Sequence, residues 1–434
     1  MVVLLLDVHL EGTTAPIGQL SRGDDGAVQF RYLTAALPHP LSLSLPLREQ
    51  AFSDADTRGF FANLLFENAL RDQVMERYGL DFNDIVGLLH HLGRDCPGAI
   101  SCVPQGDGPA KQPGNLTTDY DPLNAQTLAE IMTSLRDRRR LPDHTRDPSP
   151  LAGVQGKIAL TRLADGSFAL LKPDRNVPTT HILKVPRLRD MGDVEAEHLA
   201  TMLMADMLTH PVSKTEIIGE GDLQGLLITR FDRIINGDNV SRLHQEDFAQ
   251  ALGLVPSLKY QRNGTPDRCF SAKAIGTILQ QTENPGLARM AFLDVTLANL
   301  LLGNTDNHAK NHALLYTGPR PQLAPAYDVF PTLIDPDVLH QLSFDIGSAK
   351  MTDDITPTDI ESVLRNLGFP RYTPALRRRV QALIRTAVER IDGLQSLKRK
   401  QVGDAIAEQA RNLAPAAGLQ VTIPERDALI INRP

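Results

Sequence analysis

The run Ala291-Phe-Leu-Asp-Val-Thr-Leu-Ala-Asn-Leu-Leu-Leu302 is apolar round most of its circumference, so as a helix it demands burial. It stops at Gly303 and passes directly into Asn304-Thr-Asp-Asn-His-Ala-Lys-Asn311, a dense polar cluster. A buried helix that ends in glycine delivers the groups after it to a defined place. The fold must therefore wrap this helix and present the loop that follows. A bland reading is a polar turn that merely closes a helix. A second is zinc, because His308 and His312 stand at i and i+4. That reading is weak: the general-base Glu of the H-E-x-x-H pattern is missing, and the pair straddles a loop-like segment.

A third reading uses the spacing. Asp306 and Asn311 are separated by four residues, as in the catalytic loop of kinases. There the Asp takes the proton of the attacking hydroxyl and the Asn side-chain oxygen holds Mg²⁺. Seventeen residues on, Tyr327-Asp328-Val329 supplies a second carboxylate in an apolar bracket, the place of a metal-binding Asp. The pattern alone also fits kinases of small molecules or lipids.

Upstream, Leu151-Ala-Gly-Val-Gln-Gly-Lys157 places small residues before a strand, where Gly153 and Gly156 let backbone N–H groups approach a phosphate and Lys157 neutralise it. Any tight turn carries Gly, so this block is weak alone. His181-Ile-Leu-Lys-Val185 reads as a strand with Lys184 among apolar residues, and a buried lysine needs an anionic partner. In order along the chain stand Pro150 to Lys157, His181 to Lys184, Arg230-Phe-Asp-Arg233, His244-Gln-Glu-Asp-Phe-Ala-Gln250, Lys259-Tyr260, the 303–311 loop and Tyr327 to Val329. This ordered series, set in about residues 1 to 415, resembles the HipA family of serine/threonine kinase toxins.

The resemblance implies an α+β, bilobal protein-kinase-like fold with an extra N-terminal α/β subdomain and a mainly helical C-lobe. The expected divisions are 1–104 for the N-terminal subdomain, 105–147 for a linker and helix, 148–232 for the kinase N-lobe, 233–415 for the C-lobe and 416–434 for a C-terminal extension. Spacing and resemblance together assign the γ-phosphoryl of ATP to a Ser or Thr hydroxyl, with Asp306 as base and Asn311 and Asp328 on Mg²⁺. His308 and Lys310 shape the loop, Lys310 near enough to offset transition-state charge. Lys184 grips the phosphates under the Gly153, Val154, Gln155 and Lys157 loop, with Glu195 or Glu197 of the helix Val194–Leu208 at suitable distance as its partner and the resemblance favouring Glu197. Thr229, Arg230 and Phe231 form the connection that holds adenine through backbone groups. Relatives carry an acidic residue where this chain has Thr229.

The same resemblance implies a toxin–antitoxin pair: a small helix-turn-helix (HipB-like) antitoxin that places the complex on operator DNA, and an aminoacyl-tRNA synthetase of glutamyl type as phosphorylated target. The rival is a catalytically silent co-repressor, which has no reason to keep Asp306, Asn311, Asp328 and Lys184 together. One departure concerns autophosphorylation. Where relatives have the modified Ser this chain has Pro150, and the nearby hydroxyl is Ser149. Proline locks φ and pushes the preceding residue toward an extended conformation, so modification is expected at Ser149 and to be inefficient.

Bulk properties agree with a large globular enzyme. The 434 residues suffice for two or three cores, and 42% hydrophobic with 22% charged residues is ordinary for such proteins. A net charge of −7 excludes a chain that binds nucleic acid by overall charge. The basic runs Arg136 to Arg140, Arg377 to Arg379 and Lys398 to Lys400 read first as solvated helix faces, with phosphate or DNA-backbone contact as the alternative. Three Cys without C-x-x-C spacing suit a reducing, cytoplasmic compartment. The start, Met-Val-Val-Leu-Leu-Leu-Asp7, reads as a strand rather than a signal peptide, and no run approaches about 18 apolar residues.

Along the chain, Ile17 to Leu33 predicts a hairpin round Gly23-Asp-Asp-Gly26, and Leu41 to Leu45 alternates as a half-buried strand should. Ser53 with Asp56 caps a helix bearing Phe60, Phe61 and Leu64. Residues 105–123 read as a linker. His244–Leu254, Thr356–Leu367 and Pro374–Leu394 read as helices; Leu342 to Ser348 and Leu419 to Asn432 read as strands. Nothing in residues 1–104 reads as catalytic, and scaffold is the expected role.

Overall fold

The apolar start becomes β1 (Val2–Leu10), which pairs antiparallel with β2 (Gly18–Gly23). In this computed structural model, residues 2–65, 69–142, 144–145, 156–391, 394 and 396–434 are described. Ser149, Pro150, Gly153, Val154 and Gln155 lie outside them. The hairpin runs on through Gly26, at φ +80, into β3 (Val28–Tyr32), whose alternate residues are buried. Helices α1 (Asp54–Phe61), α2 (Ala69–Tyr78) and α3 (Ile85–Leu92) follow, and β4 (Ile100–Pro104) closes a sheet of order β3-β2-β1-β4. Ser53 caps α1, accepting the Asp56 N–H. The core joins Leu6, Val8 and Leu20 to Phe30, Phe60 and Phe61, with Phe30 and Phe61 ring centroids 5.1 Å apart.

Leu41 to Leu45 forms no strand. A bridge joins Ser42 and Leu45, and the Leu43 N–H is taken by Glu246. The 105–123 segment is also more ordered than a linker. It contains β5 (Gly114–Asn115) and β6 (Tyr120–Pro122), and Lys111 is buried against Asp95.

After α4 (Ala125–Arg138) come β7 (Gly156–Arg162), β8 (Phe168–Leu171) and β9 (His181–Val185). Helix α5 (Gly192–Met207) interrupts them, and β10 (Thr215–Glu220) and β11 (Leu223–Thr229) complete a six-stranded sheet of order β10-β11-β9-β7-β8-β6. Ile131, Met132 and Leu135 of α4 cover the buried faces of Ile158, Leu160, Leu183 and Leu227. The hairpin of β12 (Arg233–Asn236) and β13 (Asn239–Arg242) pairs with β5. The expected helix His244–Leu254 is instead β14 (Gln245–Asp247) and a single turn, α6 (Phe248–Ala251), started by a capping box of Asp247 and Gln250. The break falls where Glu246, fully buried, accepts from Ser42, Leu43 and Tyr316.

Residues 1–191, 216–256 and 315–320 form one compact unit. Residues 192–215, 257–314 and 321–434 form the second, which is mainly helical. Besides α5 it holds α7 (Ala272–Gln280) and α8 (Pro285–Leu301), then the short β15 (Ala313–Leu315) and β16 (Gln322–Leu323). It ends with α9 (Pro357–Asn366), α10 (Pro374–Glu389) and α11 (Leu397–Ala416). Ser271, Asn284, Thr356, Thr373 and Ser396 cap these helices, each side chain accepting a first-turn N–H.

Helix α8 is buried on nearly all sides, as its composition demands. Its polar residues are satisfied internally: Thr296 and Asn299 bond back one turn, and the Asp294 carboxylate accepts from Arg379 Nε at 2.7 Å. The basic run Lys398 to Lys400 is likewise matched to Asp193, Glu195 and Asp427. Leu342 to Ser348 forms no strand, and neither does Leu419 to Asn432. The tail is held instead by discrete contacts. Asn432 N donates to His340 Nδ1 and Asn432 O accepts from His340 N, both at 3.0 Å, while Arg426 pairs with Asp404. Among the described residues no helix is long and apolar enough to cross a membrane.

Candidate active site

Helix α8 ends at Leu302, and Gly303 turns the chain with φ +73. A residue with a Cβ is strained in that conformation, and here the Cβ would also stand 3.1 Å from the Leu333 side chain. The loop is then pinned from beneath. Thr332 Oγ1 donates to Gly303 O and accepts the Thr305 N–H, and Ser343 Oγ donates to Thr305 O at 2.8 Å. Asn304 bonds Asn299 through its amide N, and its Oδ1 accepts the Asp306 N–H at 3.1 Å.

Asp306 is thereby lifted to the surface while its neighbours Thr305, Asn307 and His308 are buried. Asn311 Nδ2 donates to Asp306 O at 2.9 Å, closing the loop into a ring and leaving the amide oxygen as a donor atom toward a cation. Lys310 O accepts from the Tyr327 hydroxyl at 2.7 Å, which ties the loop to the segment carrying Asp328. Asp306 and Asn311 thus share one hydrogen-bonded loop, and Tyr327, the residue before Asp328, is bonded to it. Asp306 is an exposed residue. Desolvation by the protein packed round it raises its pKa, with Tyr260 and Lys259 pulling it down and the Asp328 charge pushing it up.

His308 and His312 do not form a zinc pair. His312 packs at 4.8 Å centroid distance from Phe292, and burial lowers its pKa to about 3. Burial lowers His308 to about 3 as well, so it is a neutral ring wedged edge-on against Tyr260 at 5.2 Å. Among the described residues no three His, Cys, Asp or Glu side chains gather to hold a metal. The oxygens of Asn311 and Asp328 suit a hard cation that keeps most of its own shell, as Mg²⁺ does. Asp328 stands at φ +58, a left-handed conformation that Asp tolerates better than most residues and that marks a constrained site.

The remaining residues fall elsewhere. In the first unit Lys157 and Lys184 are direct partners across the β7–β9 ladder, which puts both side chains on one face. Like charges directly opposite each other are unfavourable in themselves. Thr229 ends β11 opposite His181, and Arg230 N donates to Thr180 O. The Arg230 guanidinium is committed to Asp232, at 2.8 and 3.0 Å, so what this residue offers a ligand is its backbone. Phe231 is half-buried. Glu197 is buried on α5 in the second unit, its carbonyl accepting from Thr201.

The pins beneath the loop were not foreseeable. Thr332 and Ser343 are ordinary hydroxyl residues 27 and 38 positions away from Thr305, and no local pattern marks them. Tyr260 was visible as half of a Lys-Tyr pair, but its partner was not.

Residues 149–394 match the model of the HipA-like C-terminal domain, and residues 6–103 that of the HipA N-terminal domain. The putative kinase Y4mE of Sinorhizobium fredii is 31% identical over 398 residues, covering 90% of this chain and 92% of that protein. The serine/threonine-protein kinase toxin HipA of Shewanella oneidensis is 30% identical over 384 residues, covering 85% and 84%. The solved structure of the Shewanella oneidensis MR-1 HipA, HipB and operator DNA complex matches with a TM-score of 0.76 at 26% identity, over 96% of this chain and 100% of that one. The chain belongs to the HipA family of serine/threonine-protein kinases.

Proposed function

We propose that Asp306, Asn311 and Asp328 form the reacting centre of this kinase. The observation that carries the assignment is the closed ring in which Asn311 holds the Asp306 backbone while Asp306 is an exposed residue. A Ser or Thr hydroxyl oxygen attacks the γ-phosphorus of ATP, the bond to the β,γ-bridging oxygen breaks, and ADP leaves. The hydroxyl proton passes to Asp306. Asn311 and Asp328 hold Mg²⁺, which when bound neutralises charge on the phosphates. Lys184 and Lys157 bind phosphate oxygens. The backbone of 229–231 receives adenine.

The biological setting follows from kinship. The Shewanella relative is named a toxin, and the matching structure contains HipB and operator DNA. This chain accordingly acts as the toxin of a pair whose helix-turn-helix antitoxin brings it to DNA. Its acceptor is a protein, an aminoacyl-tRNA synthetase of glutamyl type being first to test, and its place of action is the cytoplasm. Of the basic runs, Arg379 and Lys398 to Lys400 are already paired with carboxylates of this chain.

The test is Asp306→Ala. Purified protein is incubated with γ-labelled ATP, Mg²⁺ and cell lysate, and the labelled band is identified. The variant should bind nucleotide as the wild type does and transfer phosphate about 10²–10⁴ times more slowly, roughly 3–5 kcal/mol of barrier. Expression without the antitoxin should slow growth, and the same substitution should relieve it. Near-normal turnover of the variant would overturn the assignment of Asp306, and equal growth of wild type and variant at matched protein levels would favour the silent co-repressor.

A further inference from the structure

We infer that Tyr260 is a positioning residue for phosphoryl transfer, its hydroxyl occupying one carboxylate oxygen of Asp306 so that the other faces the acceptor. The inference rests on Asp306 being the base. Tyr260 Oη donates to Asp306 Oδ1 at 2.6 Å. Among the described residues this is the one side-chain hydrogen bond to that carboxylate; Asn304 and Asn311 hold the Asp306 backbone. Backbone contacts place the Cα but leave the carboxylate plane free, because the last torsion of Asp is broad. A base that must meet a proton at hydrogen-bond distance needs that torsion set as well.

Tyr260 is itself held firmly enough to set it. Lys259 O accepts the Ala309 N–H at 3.0 Å, joining the residue before Tyr260 to the loop. Gln261 N donates to Ser343 O at 2.9 Å, and its side chain exchanges two bonds with Asp345. The Arg262 guanidinium lies 4.0 Å from the Tyr260 ring centroid, and His308 meets the ring edge-on. Ser343 also holds Thr305, so one residue buttresses both partners. Burial and the Asp306 charge keep the phenol protonated, which makes it the donor.

A double-mutant cycle tests this. Tyr260→Phe keeps the ring, its Arg262 and His308 contacts and the fold, and removes the hydroxyl. Wild type, Tyr260→Phe, Asp306→Ala and the double variant are compared for labelled phosphate transferred from Mg-ATP to casein and released to water, with ADP affinity measured alongside. Tyr260→Phe is expected to lower kcat about 10–100-fold, with KM for ATP and ADP affinity within about twofold. In the Asp306→Ala background the same change should alter the residual rate less than about twofold, because Tyr260 acts through that carboxylate. A rate for Tyr260→Phe within twofold of wild type, or a full penalty persisting without Asp306, overturns the inference while the assignment of Asp306 stands. Near-normal turnover of Asp306→Ala overturns both.

Discussion

Replacing Glu246 by glutamine removes a buried group whose charge state depends on folding. Glu246 is fully buried, and its carboxylate accepts from the Ser42 hydroxyl, the Leu43 N–H and the Tyr316 hydroxyl. Burial outweighs these donors and raises its pKa from 4.5 to about 7. In the unfolded chain it titrates near its ordinary value. Between those two pH values the folded state keeps a proton that the unfolded state releases. The stabilising contribution is therefore complete below about pH 4.5, declines as pH rises and is gone above about pH 7. At about 1.4 kcal/mol for each pH unit of that interval, it amounts to about 3 kcal/mol. Glutamine does not titrate. The stability of wild type minus that of Glu246→Gln should thus fall by about 3 kcal/mol from pH 4.5 to 7.5, other groups cancelling in the difference. Urea unfolding at several pH values, followed by circular dichroism because the chain has no Trp, measures it. A difference constant to within about 1 kcal/mol would show that Glu246 is ionised or hydrated in the folded protein, and the argument from burial would fail.

Two further outcomes follow from the loop. Gly303→Ala must place a Cβ at φ +73 against Leu333, so it should cost about 1–2 kcal/mol in thermal or urea stability and slow turnover with nucleotide affinity kept; an unchanged rate would show that the loop does not depend on this turn. Asp328→Ala should weaken nucleotide binding about tenfold or more in Mg²⁺ and hardly at all in EDTA, as calorimetry would show; equal loss in both would mean that Asp328 is structural rather than a metal ligand.

What the sequence alone determined is what neighbours along the chain decide. The periodicity of Ala291 to Leu302 required a buried helix, and Gly303 required its end; α8 and the φ +73 turn are the result. Ser53 and Thr356 announced helix starts because a cap is satisfied within three residues. The Asp306 to Asn311 spacing was likewise legible, since the ring that Asn311 closes lies within one loop.

Tertiary structure decided whatever depends on a distant partner. Leu41 to Leu45 alternates as a strand does, yet Ser42 and Leu43 bond to Glu246, more than two hundred positions on, and that contact replaces a ladder. The same glutamate breaks the helix expected over 244–254. The tail has the composition of a strand but meets single anchors, His340 and Asp404, rather than an open sheet edge. Tyr260 reaches Asp306 across 46 positions, and Thr332 and Ser343 support Thr305 from further along the chain. A hydroxyl or carboxylate can bond many partners at similar free energy, so its residue type does not name the one it meets; packing of the apolar core brings that partner within reach.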